Sequence, residues 1–289
     1  MIDLHMHSSY SDGSDDIWQL IQNVKDAGIT KFSVTDHDIA GGCREILKNE
    51  KIKSFIRENG MQFVTGAEFS CIFEGYEVHI LAYDFDPNAK EIEYFENKVT
   101  ELIKEKDVYR FKAFEEAGYH LSQKSMEFLK TRINIRKPDL ANCLVNDGYF
   151  DNIDDAIQLF IKHIKFPKSY RLDAKEVIEK LSSIGAKMVW AHSLHGINEK
   201  PITFEEVEMI ATKLKEHGLV GLECFYTLYN KQEIERLVEI AHKLGLFVTA
   251  GSDYHGKNKQ SALGETSCDK TPVMEVAQNF DKYFKNIIK

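Results

Sequence analysis

Short runs of β-branched and aromatic residues alternate with stretches of helical spacing in the first 87 residues of this 289-residue chain, and the alternation resumes after about residue 168. That rhythm predicts a parallel sheet built from strand-helix units. Residues 2–7 read as the first strand. Ser14 or Asp15 is placed to cap a helix on which Ile17, Leu20, Ile21 and Val24 recur at helical spacing until Gly28 ends it. Residues 31–37, 62–71 and 76–85 follow as strands, and Glu74-Gly75 between the last two suits a hairpin. A helix carrying Val177, Ile178 and Leu181 leads to strands at 186–192, 220–225 and 246–252, making seven in all. The fold class expected is α/β, a (β/α)7 barrel of residues 1–87 and 168–289. One barrel can absorb this length.

Residues 88–167 have a different character. Helical spacing dominates there, as in Phe95, Val99, Leu102 and Ile103, with few runs that would serve as central strands. This segment is expected to be a helical insertion covering the mouth of the barrel. Phe111, Phe114 and Phe128 within it read as core residues.

The composition is that of a folded globular chain, 43% hydrophobic and 29% charged. A formal net charge of −9 repels polyanions, so long duplex nucleic acid is not an expected partner. Small anions remain open, because bound cations reverse the local field. The chain opens on Met1-Ile2-Asp3-Leu4-His5 with no basic leader and no long apolar run, which leads us to expect a cytoplasmic protein without membrane association. Cys43, Cys71, Cys143, Cys224 and Cys268 are scattered, with no Cys-x-x-Cys pair, and read as reduced, mostly packed thiols. Nothing in the sequence demands an obligate protein partner.

The chemistry is carried by histidines and acids at strand ends. His5 and His7 lie two apart on a strand, so both side chains project from one face and can reach one ion. Asp12 follows in Ser11-Asp12-Gly13, Asp36-His37-Asp38 closes the second strand, and Glu68 lies on the third. His79 on the fourth strand, His192 ending the fifth, and Asp253 with His255 after the last complete the set. Strand ends of a parallel α/β barrel converge on one mouth, where catalytic residues gather. Each residue alone has a plainer role: an Asx-turn for Asp12, a backbone-orienting acid for Asp36, a packed histidine for His79. Their coincidence at so many strand ends argues for a shared cation site. Imidazoles and carboxylates without thiolates suit Zn, Mn or Fe.

The motifs His5-Met6-His7, Ser11-Asp12-Gly13, Thr35-Asp36-His37-Asp38, Gly66-Ala67-Glu68, His79, Ala191-His192-Ser193 and Gly251-Ser252-Asp253-Tyr254-His255 together resemble the polymerase and histidinol phosphatase (PHP) phosphoesterases. The resemblance implies a distorted seven-stranded barrel holding two or three divalent ions. By motif, one ion falls to His5, His7, Glu68 and Asp253. Glu68 bridges to a second, held also by His79 and His192, and Asp12, His37 and His255 take a third. Ser193 stands where the family commonly has proline. In-line attack by a bridging hydroxide is the expected chemistry, with His192 and His255 candidates for proton transfer but more simply occupied as ligands.

Arg136-Lys137-Pro138-Asp139-Leu140-Ala141 resembles a segment of the insertion-bearing, tryptophan-operon-linked subgroup, except that Asp139 replaces a histidine. Arg136 and Lys137 are candidates to pair with a phosphate. Lys165, Lys168, Tyr170 and Arg171 form a second basic and aromatic patch able to hold another phosphate or stack on a base, or simply to face solvent. The expected activity is metal-dependent hydrolysis of a small phosphorylated substrate, in first place a nucleoside 3',5'-bisphosphate, as the resemblance to the insertion-bearing subgroup implies. Trimming of oligonucleotides from the 5' end, histidinol phosphate hydrolysis and a non-catalytic PHP module are the alternatives, in that order.

Overall fold

The computed structural model describes residues 1–132, 135, 137–195, 201–266 and 274–288. The chain divides into two compact units, one of Met1–Glu96 with Leu172–Lys289 and one of Asn97–Arg171.

The first unit holds every strand among the described residues. A parallel sheet runs in the order β1 (Ile2–Asp3), β2 (Lys31–Phe32) and β3 (Gln62–Phe63). The other strands are β4 (Gly66–Phe73), β5 (Tyr76–Tyr83), β6 (Leu172–Asp173), β7 (Lys187–Ala191), β8 (Leu219–Tyr226) and β9 (Phe247–Gly251). They form a six-stranded sheet in the order β6-β4-β5-β7-β8-β9. The helices are α1 (Ile17–Asp26), α2 (Gly41–Lys48), α3 (Glu50–Glu58), α4 (Lys90–Glu116), α5 (Gln123–Lys130), α6 (Lys137–Asn146), α7 (Ile153–Leu159), α8 (Ala174–Ser183), α9 (Phe204–Glu216), α10 (Lys231–Leu244) and α11 (Met274–Tyr283).

The parallel strand-helix pattern is broken at β5, which forms the expected hairpin with β4 and runs antiparallel to β7 as well. The reason is local. Only Glu74 and Gly75 separate β4 from β5, both at positive φ (47° and 88°), the pattern of a tight hairpin turn. Two residues cannot make the crossover that a parallel neighbour requires. The expected third strand, 62–71, is also divided, its two halves lying in different sheets. The bend falls at Thr65, whose hydroxyl donates to Phe85 O at 2.7 Å while accepting from Phe85 N at 3.0 Å.

Capping of α1 differs from expectation too. Asp16, not Ser14 or Asp15, accepts from Gln19 N at 2.8 Å. The Asp15 carboxylate is already engaged by Tyr254 Oη at 2.9 Å and Asn23 Nδ2 at 2.8 Å. The apolar face of α1, Ile17, Leu20, Ile21 and Val24, is fully buried against Met6, Phe32, Val34 and Phe63. Burial of each such side chain contributes about 1.5–3 kcal/mol.

Backbone bonds also pass between the sheets. Leu4 N donates to Ala250 O at 2.9 Å, Met6 bridges to Tyr254, and His37 bridges to Glu68. These bonds bring the segments after β1, β2 and β9 into register with β4.

The second unit is helical among its described residues. Phe114, Leu129, Leu140, Leu144, Ala156 and Ile161 form its buried core, with Phe111 and Phe128 packed against it, in keeping with their reading as core residues. Helix α4 runs through the division at Glu96 and Asn97, so the boundary there is not a linker.

Candidate metal centre

Glu68, fully buried in β4, is the hub of the candidate site. His5 Nε2, His7 Nε2 and His37 Nδ1 lie 3.1, 3.2 and 3.1 Å from its Oε2. His79 Nδ1 and His192 Nε2 lie 2.8 and 3.0 Å from its Oε1, and 3.2 Å from each other. Asp253 Oδ1 stands 3.6, 3.3 and 3.4 Å from His5 Nε2, His7 Nε2 and His255 Nδ1. Asp12 faces His7, His37 and His255 at 3.8, 3.9 and 3.2 Å. All nine residues proposed as ligands from the sequence thus meet in one cluster.

Local structure explains the convergence, with one amendment to the expected strand-end rule. His5 and His7 follow β1, His192 follows β7, and Asp253 and His255 follow β9, as parallel strand ends would place them. Glu68 and His79, by contrast, lie within β4 and β5 rather than at their ends. Because β5 is antiparallel, its early residues lie beside the far end of β7, and His79 pairs with Ala191, the residue before His192. The hairpin therefore delivers a ligand that a parallel strand at this position would not. His192 and Asp253 both have left-handed backbones, φ 29° and 51°. Such conformations cost about 1–3 kcal/mol in non-glycine residues and persist where surrounding structure enforces them.

Among the described residues, three groups of donor atoms lie close enough to hold a cation: His5, His7, Glu68 and Asp253; His7, Asp12, His37 and His255; and His37, Glu68 and His79. His5 Nε2, His7 Nδ1 and Nε2, His37 Nδ1 and Glu68 Oε2 are buried yet make no hydrogen bond. Buried polar atoms are nearly always satisfied, so a knot of unsatisfied ones is the signature expected of electron-pair donors to a cation. The nitrogen and oxygen donor set, free of thiolate, fits Zn, Mn or Fe.

The electrostatics point the same way. Burial disfavours a charged His5, yet Glu68, Glu223 and Asp253 override it and raise its pKa well above the ordinary value. For His7, burial is likewise outweighed by Asp253 and Glu68, giving about 9. His37 goes the other way, to about 3, through burial and the neighbouring His7 and His79 despite Glu68. Burial would raise Glu68, but His5, His79 and His37 hold it well below the carboxylate range. Protons are here balancing acids that cations would otherwise neutralise.

Sequence reasoning missed Glu223 in β8. It is fully buried, its Oε1 lies 3.0 Å from His5 Nδ1, and its Oε2 accepts from His192 N at 2.8 Å. A carboxylate behind an imidazole fixes the tautomer and leaves the other nitrogen, here the unpartnered Nε2, to bind. Gly251 permits this approach, since a Cβ there would stand 2.5 Å from Glu223 Oε1. The available signal was one acid inside the otherwise uncharged run Leu219-Val220-Gly221-Leu222-Glu223-Cys224-Phe225-Tyr226. Asp36 takes the plainer role considered for it, accepting from Ser8 N at 2.7 Å.

The candidate substrate residues lie in the second unit, apart from Arg136, which falls outside the described residues. Lys137 begins α6 and is exposed, as are Lys165 and Lys168. Lys168 is ion-paired with Glu105, and Tyr170 packs 5.9 Å from Tyr109. Lys106, not singled out in the sequence, has its pKa lowered to about 8 by burial and by Arg110, Arg171 and Lys137. Asp139 is buried and ion-paired with Arg132 at 3.3 Å. The four described cysteines are all buried, while Cys268 lies outside the described residues. No helix among the described residues is long and apolar enough to cross a membrane.

Imidazoles and acids clustered on a mixed α/β fold define a metal-dependent hydrolase by class. Residues 3–184 match the PHP domain, and the chain belongs to that family. It is 26% identical over 269 residues to a phosphoribosyl 1,2-cyclic phosphate 1,2-diphosphodiesterase of Eggerthella lenta, covering 88% of this chain and 94% of that one. A 5'-3' exoribonuclease of Haemophilus influenzae is 25% identical, covering 88% and 89%. A 3',5'-nucleoside bisphosphate phosphatase of Chromobacterium violaceum is 22% identical, covering 88% and 87%. In fold, the chain matches a metal-dependent phosphoesterase structure from Bifidobacterium adolescentis with a TM-score of 0.70 and 24% identity, over 99% and 97% of the two chains. The chain is a metal-dependent phosphoesterase of the PHP family.

Proposed function

We propose that the chain is a phosphatase for a small phosphorylated nucleotide, with a nucleoside 3',5'-bisphosphate as leading substrate. The observation that carries this is the pocket beside the cluster, a cavity of about 200 Å³ lined by His37, Glu68, His79, His192, Asp253 and His255 among others. That space suits a phosphoryl group held against the ligands. The Chromobacterium relative acts on such a bisphosphate by its name.

In this reading the fold is a distorted seven-stranded barrel of β1, β2, β4, β5, β7, β8 and β9. The backbone bonds from Leu4 to Ala250 and between His37 and Glu68 support its closure. His5, His7, Glu68 and Asp253 hold one ion, Glu68 with His79 and His192 a second, and Asp12, His37 and His255 a third, with Mn, Zn or Fe as the metal. Bound divalent cations acidify water near neutral pH, clamp phosphoryl oxygens and offset charge on the leaving group. Glu223 orients the His5 ring and fixes the backbone at His192, so two ligands from different strands keep their geometry. His192 and His255 are engaged as ligands rather than as proton carriers, and Lys137, Lys168, Tyr170 and Arg171 remain candidates to bind a phosphate or a base within the second unit. The four described cysteines are all buried, which agrees with a cytoplasmic setting.

A phosphodiester substrate is the second reading, favoured by the Eggerthella and Haemophilus relatives. A panel on protein loaded with Mn, Zn or Fe separates the two. It should contain nucleoside bisphosphates, mononucleotides, a ribose 1,2-cyclic phosphate, 5'-phosphorylated oligonucleotides and histidinol phosphate. Fastest turnover of bisphosphates supports the leading reading. Shortening of oligomers or opening of the cyclic ester, with bisphosphates untouched, replaces it, and inertness of fully metallated protein to every ester removes catalysis altogether.

A further inference from the structure

One wall of the cavity is built by residues that none of the ligand motifs contains: His195, Tyr226 and Lys259. Asp253 divides them from the cluster. Its Oδ1 faces His5, His7 and His255, whereas its Oδ2 accepts from Tyr226 Oη at 3.0 Å and is ion-paired with Lys259. A cation held on the Oδ1 side therefore leaves the lysine's contact standing.

Among the described residues lining this cavity, Lys259 is the single lysine or arginine. Its ammonium has three donors. Asp253 Oδ2 takes one and Tyr226 Oη, at 3.4 Å, a second. The side chain is 37% exposed, within reach of a ligand arriving from solvent. A phosphoester dianion brought against three acids, Asp12, Glu68 and Asp253, needs positive charge on the side away from the cations as well.

We propose that Lys259 forms a phosphate-binding subsite, donating its remaining N–H to a non-bridging oxygen of the phosphoryl group under attack. Asp253 and Tyr226 hold the ammonium in place, and Asp253 thereby couples the cation side of the pocket to the substrate side. The inference rests on the phosphoesterase reading for the identity of the reacting group, but binding of inorganic phosphate tests it without turnover.

The experiment uses full-length metallated protein, with Lys259→Met and Lys259→Arg variants. Metal content is read by elemental analysis, inorganic phosphate affinity by calorimetry, and KM and kcat with the best substrate of the panel. Lys259→Met should weaken phosphate binding and raise KM at least about tenfold, the size expected for loss of a charge-assisted hydrogen bond, with metal content unchanged. Lys259→Arg should recover part of the phosphate affinity. Unchanged phosphate affinity in Lys259→Met overturns the proposal. Loss of metal in step with loss of phosphate also overturns it, because Lys259 would then act only by supporting Asp253. If phosphate binding depends on Lys259 while no ester in the panel is hydrolysed, the catalytic reading fails and the subsite stands.

Discussion

The ligand cluster of the first unit and the basic residues of the second are both dense in charge, yet they are built oppositely. Glu68 is wholly buried and five imidazoles reach its two oxygens. Lys168 has a side chain 55% exposed and one acidic partner, Glu105. Burying ionised groups is expensive unless they are paired or bind cations, so a buried knot of this kind is evidence of a task, whereas an exposed ion pair costs and contributes little. Geometry held from several strands also resists displacement, and Glu223 shows the extra layer that fixes it.

The sharpest break of this contrast is at the hub. Glu68→Gln should abolish metal retention at more than one position and reduce phosphoesterase activity by well over the roughly 100-fold seen when outer partners of a ligand are removed. Retained metal and activity would place the catalytic centre elsewhere. Glu223→Gln comes next. An amide offers a donor where His5 Nδ1 or His192 N expects an acceptor, so metal affinity should fall about 10- to 100-fold, as judged by competition with a chelator, in a protein whose circular dichroism is unchanged. Equal affinity in the variant would reduce Glu223 to a packing residue.

In the second unit the expected effects are smaller. Lys137→Ala should raise KM for phosphorylated substrates by about tenfold while sparing metal content, whereas Lys168→Ala, whose charge Glu105 already neutralises, should leave kinetics alone. Indistinguishable variants would return both lysines to the solvated surface.

The pH response sharpens the comparison most finely, because the two units have opposite signs. In cation-free protein His7 titrates near 9 against an ordinary 6.5. Its raised value gives stability that is complete below 6.5 and lost as pH rises through about 9. Lys106 titrates near 8 against 10.5, so the penalty on its charged form is complete below 8 and relieved as pH rises toward 10.5. Hydrogen exchange resolved by unit, after chelation, should show the first unit loosening and the second tightening between about pH 8 and 9. Parallel drift of both units would refute the distinction.

The sequence by itself determined the chemistry on offer: which side chains could ligate, their distribution among strand ends, and the switch to helical spacing in the middle of the chain. It could do so because period-two and helical patterns and paired histidines are local properties. The hairpin turn at Glu74-Gly75 was legible as well, but only the tertiary structure decided that β5 also pairs antiparallel with β7 and so sets His79 beside His192, that the third expected strand bends between two sheets at Thr65, and that Glu223 stands behind His5 and His192. These depend on partners more than a dozen residues away, whose approach is fixed by backbone pairing and packing rather than by any local preference. A single buried acid in an apolar strand has no sequence pattern to announce what it holds.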